Sequence, residues 1–298
     1  MSWTPHLTDD GSFTFFSAEF GEAFHSQAGA RAEAFTKFSQ VTGLAQRSQS
    51  GDLRLLDVCY GLGYNTAAAL ETIWAANPGC RVELYGLELD ETVPQAAIAP
   101  DLLASWSPEV QAALAAIGLS HQHTTPLLQA TLLIGDARQT IQHLAQTGFQ
   151  ADAIFFDPFS PRRCPQLWTV EFFAQVVRCL ATNGTLATYS RSAAVRTAMQ
   201  AAGLQIGTIP LDQAYRPREW SQGTVGVLAE QMPEQLAEQS LHPLSLMEQE
   251  HLNTRAAVPY RDPDLSDPAE LIQRRHQNEQ QNCGWESTSS WRRRWGID

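Results

Sequence analysis

From Gly51 onward, short apolar runs alternate with helix-forming stretches, and carboxylates stand at the ends of four runs: Asp57, Glu88, Asp136 and Asp157. The expected strands are Leu53–Val58, Val82–Leu89, Thr131–Gly135, Ala151–Phe156, Thr185–Ser190, Leu204–Ile209 and Thr224–Ala229. Helical patterns lie between them at Asn65–Ala76 (with Asn65 as the cap), Glu91–Ile117, Thr140–Thr147, Pro165–Ala181 and Ala193–Ala202. Strands separated by helices require right-handed crossovers and a parallel sheet covered on both faces. The last two strands have only a loop between them and are expected to pair antiparallel. The pattern predicts an α/β fold, a doubly wound, seven-stranded, mostly parallel sheet. Such sheets bind ligands beyond the carboxyl ends of their strands, which is where the four carboxylates stand.

The flanks read differently. Residues 1–50 form an N-terminal arm and helix expected to pack on the core, with a turn at Asp9-Asp10-Gly11-Ser12, a strand pair near Phe13–Phe16 and a helix from about Gly29 to Thr42. The α/β domain covers 51–230, and 231–298 is a polar extension expected to wrap the core, with a helix near Glu270–Gln280. The extension ends in Trp291-Arg292-Arg293-Arg294-Trp295, whose tryptophans are expected to pin the tail.

Composition excludes several classes of function. No apolar run approaches the roughly 18–20 residues of a membrane span, and Met1 to Asp10 lacks the basic-then-apolar pattern of a signal peptide, so a cytoplasmic protein is expected. The five cysteines include no CxxC pair, which offers neither a disulfide framework nor a zinc site. His121 and His123 lack a partner at ligand spacing and read as a polar loop; no metal is expected. The net charge of −12 argues against indiscriminate coating of nucleic acid. Between Pro161 and Trp220, however, seven arginines face three acids, leaving that segment at +4 and the rest at −16. Arg162, Arg163, Arg216 and Arg218 are candidates for phosphate contacts, although a solvated basic face would look the same.

Four segments carry the chemistry. In Asp57-Val-Cys-Tyr-Gly61-Leu-Gly63-Tyr-Asn65 the glycines permit a tight turn and close approach of a ligand to the backbone. A dinucleotide fingerprint needs a further glycine where Thr66 stands, so the loop suits a ligand with an ammonium group and no diphosphate; a plain strand–helix turn is the alternative. Glu88, 27 residues beyond Gly61, can accept hydrogen bonds from both hydroxyls of a ribose, which NAD and adenosylmethionine share. In Gly135-Asp136-Ala137 the acid can meet the exocyclic amine of adenine or simply cap a helix. Asp157-Pro158-Phe159-Ser160-Pro161 combines a carboxylate, a rigid turn and an aromatic ring, a set that can grip an amine attached to a flat group; Asp-Pro is also an ordinary turn opener.

At these segments the chain resembles the class I, Rossmann-like S-adenosylmethionine-dependent methyltransferases. Asp157-Pro-Phe-Ser-Pro161 is similar to the Asp/Asn-Pro-Pro-aromatic motif of the amino-methyltransferases. With Asp9-Asp10-Gly11-Ser12, Glu19-Phe-Gly-Glu22, His25-Ser26, Gly29-Ala30, Glu33, Leu167-Trp168, Gly184–Tyr189 and Arg218-Glu219, residues 9–230 resemble the methyltransferase half of the tRNA 5-methylaminomethyl-2-thiouridine biosynthesis family, MnmC, and its stand-alone relatives. The resemblance implies S-adenosyl-L-methionine as cofactor, held by Asp57, Gly61, Gly63, Asn65, Glu88, Asp136 and Ala137. It implies Asp157 and Phe159 as catalytic residues, and a 5-aminomethyl uridine at the tRNA wobble position as substrate. A stand-alone form without the FAD oxidase half is expected, so other enzymes would supply the free amine. Cys59 departs from the family, which usually has glycine there. Two rivals remain at this point: an aminopropyltransferase of the spermidine-synthase kind, and a non-catalytic tRNA-binding factor on the same scaffold. The residues Tyr60, Leu62 and Tyr64 in the loop, and the arginines after Asp157, oppose a polyamine substrate.

Overall fold

The computed structural model describes residues 3–211, 220–228 and 241–297. It divides into two compact units, Met1–Phe159 and Ser160–Asp298.

The first unit opens with two short antiparallel pairings, β1 (His6–Leu7) with β2 (Phe13–Thr14) and β3 (Phe16–Ser17) with β4 (Glu22–Ala23). The helix expected from Gly29 to Thr42 is an α-helical turn, α1 (Ala30–Glu33), that widens into a π-helical stretch at Ala34–Ser39. Side chains from the Asp-Asp-Gly-Ser turn satisfy its open N–H groups. Asp10 accepts from the Ala32 backbone at 2.8 Å, and Ser12 Oγ accepts from Ala30 at 3.0 Å and Arg31 at 3.2 Å. The arm is thereby tied to the start of the helix. A short α2 (Leu44–Arg47) leads to the sheet.

The sheet strands of this unit are β5 (Leu53–Val58), β6 (Val82–Glu88), β7 (Gln122–Thr124), β8 (Leu128–Ile134) and β9 (Ala151–Phe156). β9, β5, β6 and β8 are mutual neighbours in that order and run parallel, so their carboxyl ends share one edge. β5 and β9 are almost wholly buried, as a strand covered on both faces must be. β7, where a polar loop was expected, pairs antiparallel with β8 and carries His123. Among the described residues, no cluster of His, Cys, Asp or Glu could hold a metal ion.

Helix boundaries correct the expected pattern twice. The single helix expected over Glu91–Ile117 is three: α4 (Thr92–Ala97), α5 (Pro100–Leu103) and α6 (Pro108–Ser120). Pro100 and Pro108 each open a new helix, because proline lacks the N–H that would continue the previous one. Asn65 is not a cap either. α3 (Tyr64–Ala76) is entered through Gly63 at φ +79°, which leaves Asn65 inside the first turn with its side chain free for another role. α7 (Ala137–Gln146) connects β8 to β9.

The second unit holds a 3-10 turn at Pro165–Trp168, α8 (Val170–Arg178), β10 (Leu180–Thr188), α9 (Ala193–Ala201), β11 (Leu204–Ile209) and β12 (Gly223–Leu228). β12 pairs antiparallel with both β10 and β11, as expected for strands without a helical crossover. Thr169, accepting from Phe172 N, splits the helix expected over Pro165–Ala181. Helices follow at Leu246–His251, Ala269–Asn282 and Thr288–Trp295. The seven expected strands are all present among the described residues. Trp291 is fully buried and stacks on His251 at 4.1 Å, while Arg294 and Trp295 bond Glu250, so the tail is pinned by its aromatic residues.

Candidate active site

The glycine turn follows β5. Cys59 and Tyr60 donate their backbone N–H groups to Leu87 O, at 3.0 and 2.9 Å, and tie the turn to β6. Gly61 (φ +55°) and Gly63 (φ +79°) are left-handed, and a Cβ on Gly63 would lie 2.7 Å from the Tyr60 hydroxyl. Cys59 also sits at φ +70°, the region that the family's usual glycine adopts without steric cost. Beneath the turn Asp57 is fully buried, and its Oδ2 accepts from Thr66 Oγ1 at 2.8 Å. Thr66 thus replaces the glycine of a dinucleotide loop with a hydroxyl that orients the acid. The other oxygen, Asp57 Oδ1, is buried without a hydrogen-bond partner among the described residues. Burial above all pushes the Asp57 carboxyl up to about 8; the Thr66 bond opposes this and the nearby Asp157 and Glu88 charges add to it.

Glu88 ends β6 and reaches back to the turn. Its Oε2 accepts from Gly61 N at 2.8 Å and its Oε1 from Asp90 N at 2.9 Å, so the 27-residue spacing is a direct contact. Burial raises its pKa against those backbone bonds. A carboxylate offers about four acceptor positions, so acceptor capacity remains for a ligand. Asp136 caps α7 through the Arg138 N–H at 2.9 Å and pairs with the Arg138 guanidinium at 2.7 Å, while Ala137 is buried behind it. The helix-cap reading of Asp136 is therefore what its side chain shows.

Asp157 follows β9 and is half-buried. Asn65 Nδ2 donates to its Oδ2 at 2.8 Å, so the first turn of α3 is tied to the Asp-Pro-Phe segment. The second oxygen accepts no hydrogen bond from the described residues. Burial first, and then the Glu33 charge, push Asp157 up to about 7, against the Asn65 bond and the Lys37 charge. Glu33 and Lys37, the chain's only lysine, form an ion pair on the helix beside it. Phe159 stacks on Phe20 (4.5 Å, 21°) and meets Phe24 edge-on (4.8 Å, 65°).

Asp57, Gly61, Gly63, Asn65, Glu88 and Asp157 are thus brought together, with Phe159 two residues further on. Sequence reasoning missed Phe20, Phe24, Glu33, Lys37 and the amide bond from Asn65; of these, only the Glu19-Phe-Gly-Glu22 run and Glu33 stood among the quoted motifs. Of the arginines, Arg162 and Arg163 in the second unit are exposed, whereas Arg216 and Arg218 lie outside the described residues. Arg196, one of the seven that make residues 161–220 basic, is fully buried and faces Glu248 instead of solvent.

Comparison with known proteins bears on the family. Residues 96–218 match the model of a family described as S-adenosyl-L-methionine-dependent methyltransferase. The tRNA 5-methylaminomethyl-2-thiouridine biosynthesis bifunctional protein MnmC of Aromatoleum aromaticum is 35% identical over 68% of this chain and 33% of its own length. An uncharacterised protein of Methanocaldococcus jannaschii is 30% identical over 67% of this chain and 53% of its own. The crystal structure of MNMC2 from Aquifex aeolicus superposes with a TM-score of 0.80 at 29% identity, covering 95% of this chain and 87% of that one. The chain belongs to the S-adenosyl-L-methionine-dependent methyltransferases of the MnmC kind. It spans about a third of the length of the bifunctional relatives it matches.

S-adenosyl-L-methionine is the cofactor. The residues present fit it: the ligand carries an ammonium and a sulfonium, and the turn offers an orphaned buried acceptor, Asp57 Oδ1, with no side chain at Gly61 or Gly63. Among the described residues, no helix is long and apolar enough to cross a membrane.

Proposed function

We propose that this chain methylates the amine nitrogen of a 5-aminomethyl(-2-thio)uridine at the tRNA wobble position, giving the 5-methylaminomethyl product. The observation that carries the reading is Asp157: one oxygen held by Asn65, the other open, and an aromatic ring two residues on. When bound, the cofactor supplies an electrophilic methyl group. Asp57 and the glycine turn would hold its methionine end, Glu88 its ribose, and Asp136 with Ala137 the adenine side, with Asp136 sharing its carboxylate with Arg138. The open oxygen of Asp157 accepts an N–H of the substrate amine, points its lone pair, and stabilises the positive charge that grows on nitrogen. A carboxyl near 7 also accepts the amine's surplus proton more readily than an ordinary aspartate would. Phe159 packs on the plane of the base, which must leave its stack to reach a pocket. Exposed Arg162 and Arg163, together with Arg216 and Arg218, contact phosphates of the tRNA.

The free amine must be supplied by an activity that removes the carboxymethyl group from a precursor. The decisive experiment incubates the chain and cofactor with tRNA bearing the 5-aminomethyl group and weighs the released nucleosides. The reading requires one added methyl on that nucleoside and none on tRNA lacking the aminomethyl group. Methylation of both, or of neither, would overturn it.

A further inference from the structure

The N-terminal arm brings two rings onto Phe159 that no catalytic step has yet used. Phe20 lies at the tip of the β3–β4 hairpin. Its backbone N–H donates to Ser17 Oγ at 3.3 Å, and Gly21 N closes the turn onto Ser17 O at 2.8 Å. Phe24 follows β4, and its backbone N–H donates to Phe15 O at 3.0 Å. A Cβ on Gly61 would come within 3.2 Å of the Phe24 ring, so the arm meets the glycine turn and the Asp157 segment together. Behind them Trp3 stacks on Phe15 at 5.8 Å and meets Phe24 edge-on at 5.6 Å. Phe15 is a core residue at 1% exposure, whereas Phe20, Phe24 and Phe159 are only half-buried. A ring whose task was to fill the core would be covered as Phe15 is.

We infer that Phe20 is the second wall of the slot for the substrate's base, with Phe24 closing its edge. The inference rests on the proposed role of Phe159. Phe20 lies against the face of Phe159 that a flat heterocycle would take, 4.5 Å away and tilted by 21°. Seating a pyrimidine between the rings requires them to part to roughly 7 Å. The rings would part by a shift of the hairpin tip, residues 17–21, whose bonds from Phe20 N–H to Ser17 Oγ and from Gly21 N–H to Ser17 O close the tip on itself, so that it can swing as a unit. The slot selects for a flat ring, and the neighbouring Asp157 selects for the amine that the ring carries.

The test compares Phe20→Ala, Phe20→Leu and Phe20→Trp in the full chain, with the 5-aminomethyl tRNA as substrate. Loss of one stacking face raises KM for tRNA about 10- to 100-fold in the alanine variant, with kcat and cofactor affinity little changed. Leucine, which keeps bulk without a π-face, stays impaired, and tryptophan restores KM. An unchanged or lowered KM in Phe20→Ala would show that the ring only occludes the site, and rescue by leucine would show a packing role; either overturns the inference. A failure of the methylation reading shows itself separately, because the unmutated chain would then leave the tRNA unmethylated. In that event Phe20→Trp fluorescence still decides: 5-aminomethyluridine-containing RNA quenches the added emission if the base enters the slot, and the same RNA made abasic at that position does not. Equal quenching by both RNAs, or none by either, overturns it.

Discussion

Asp57 and Glu88 in the first unit and Glu248 in the second are buried, and Asp157 is half-buried, but their surroundings differ. Glu248 faces the Arg196 guanidinium at 2.9 Å with side-chain exposures of 2% and 1%, and it also accepts from Ser245 and Thr208. Burial pushes its pKa up, but Arg196 and the Ser245 bonds outweigh that and hold it below the usual carboxylate range. The three acids of the first unit have only neutral donors bonded to them among the described residues, and all three are raised. A buried acid that the fold does not neutralise costs stability, so its retention points to a ligand. The Glu248 pair, by contrast, uses its charge up internally and joins the Leu246–His251 helix to α9.

The largest break in that comparison is at Asp157. Asp157→Ala lowers kcat by roughly 10²–10⁴-fold while calorimetric binding of the cofactor persists; Glu88→Ala reverses the order, weakening cofactor binding before it slows turnover. Equal losses in both variants would erase the division of roles. Next in size is Glu248→Ala, which strands a buried guanidinium and should cost about 3–5 kcal/mol of stability by denaturant melts. Replacing Arg196 and Glu248 together with apolar residues of similar volume should recover most of it, an outcome that no site carboxylate would share.

The pH dependence separates the two regions further. Asp57 holds its proton more tightly folded (about 8) than at its ordinary 3.8, so the unfolded chain sheds a proton that the folded chain keeps. Its contribution to stability therefore falls as pH rises from about 4 to 8 and is flat above. Asp57→Asn should remove that slope, raising the melting temperature of the ligand-free chain at pH 8 by the equivalent of a few kcal/mol on the order of the shift and leaving it unchanged near pH 4. Glu248, with its lowered pKa, predicts the opposite slope at acid pH. The smallest effect is at the turn: Cys59→Gly relieves a left-handed residue worth about 1–2 kcal/mol but loosens the unfolded chain by about half of that. A gain below about 1 kcal/mol in thermal melts is expected, and a clear loss would mean that the thiol makes a contact that outweighs the strain.

The strand positions, the antiparallel last pair and the carboxylates at the strand ends were legible in the sequence, because a buried strand is a short apolar run and the acids follow such runs directly. Asp57, Glu88 and Asp157 stand where the alternation put them. What could not be read was set by tertiary contact. Asn65 has the residue type of a cap, but Gly63 takes the cap's backbone conformation, and the amide instead finds Asp157, 92 residues away. The long helix failed because alanine-rich periodicity outweighed Pro100 and Pro108 in the reading, whereas in the chain the missing N–H at each of them decides. Phe20 and Phe24 carry no periodic signal, since the arm is neither helix nor long strand. Arg196 counted as surface charge until its partner appeared 52 positions later.

The amide of Asn65 has a thermodynamic corollary. Because it joins the glycine turn to the Asp157 carboxyl, the proposed seats of methyl donor and acceptor, ordering either loop lowers the entropy that the other must still lose. Donor and acceptor should then bind synergistically, each tightening the other by an equal factor, and Asn65→Ala should return the two affinities to independence.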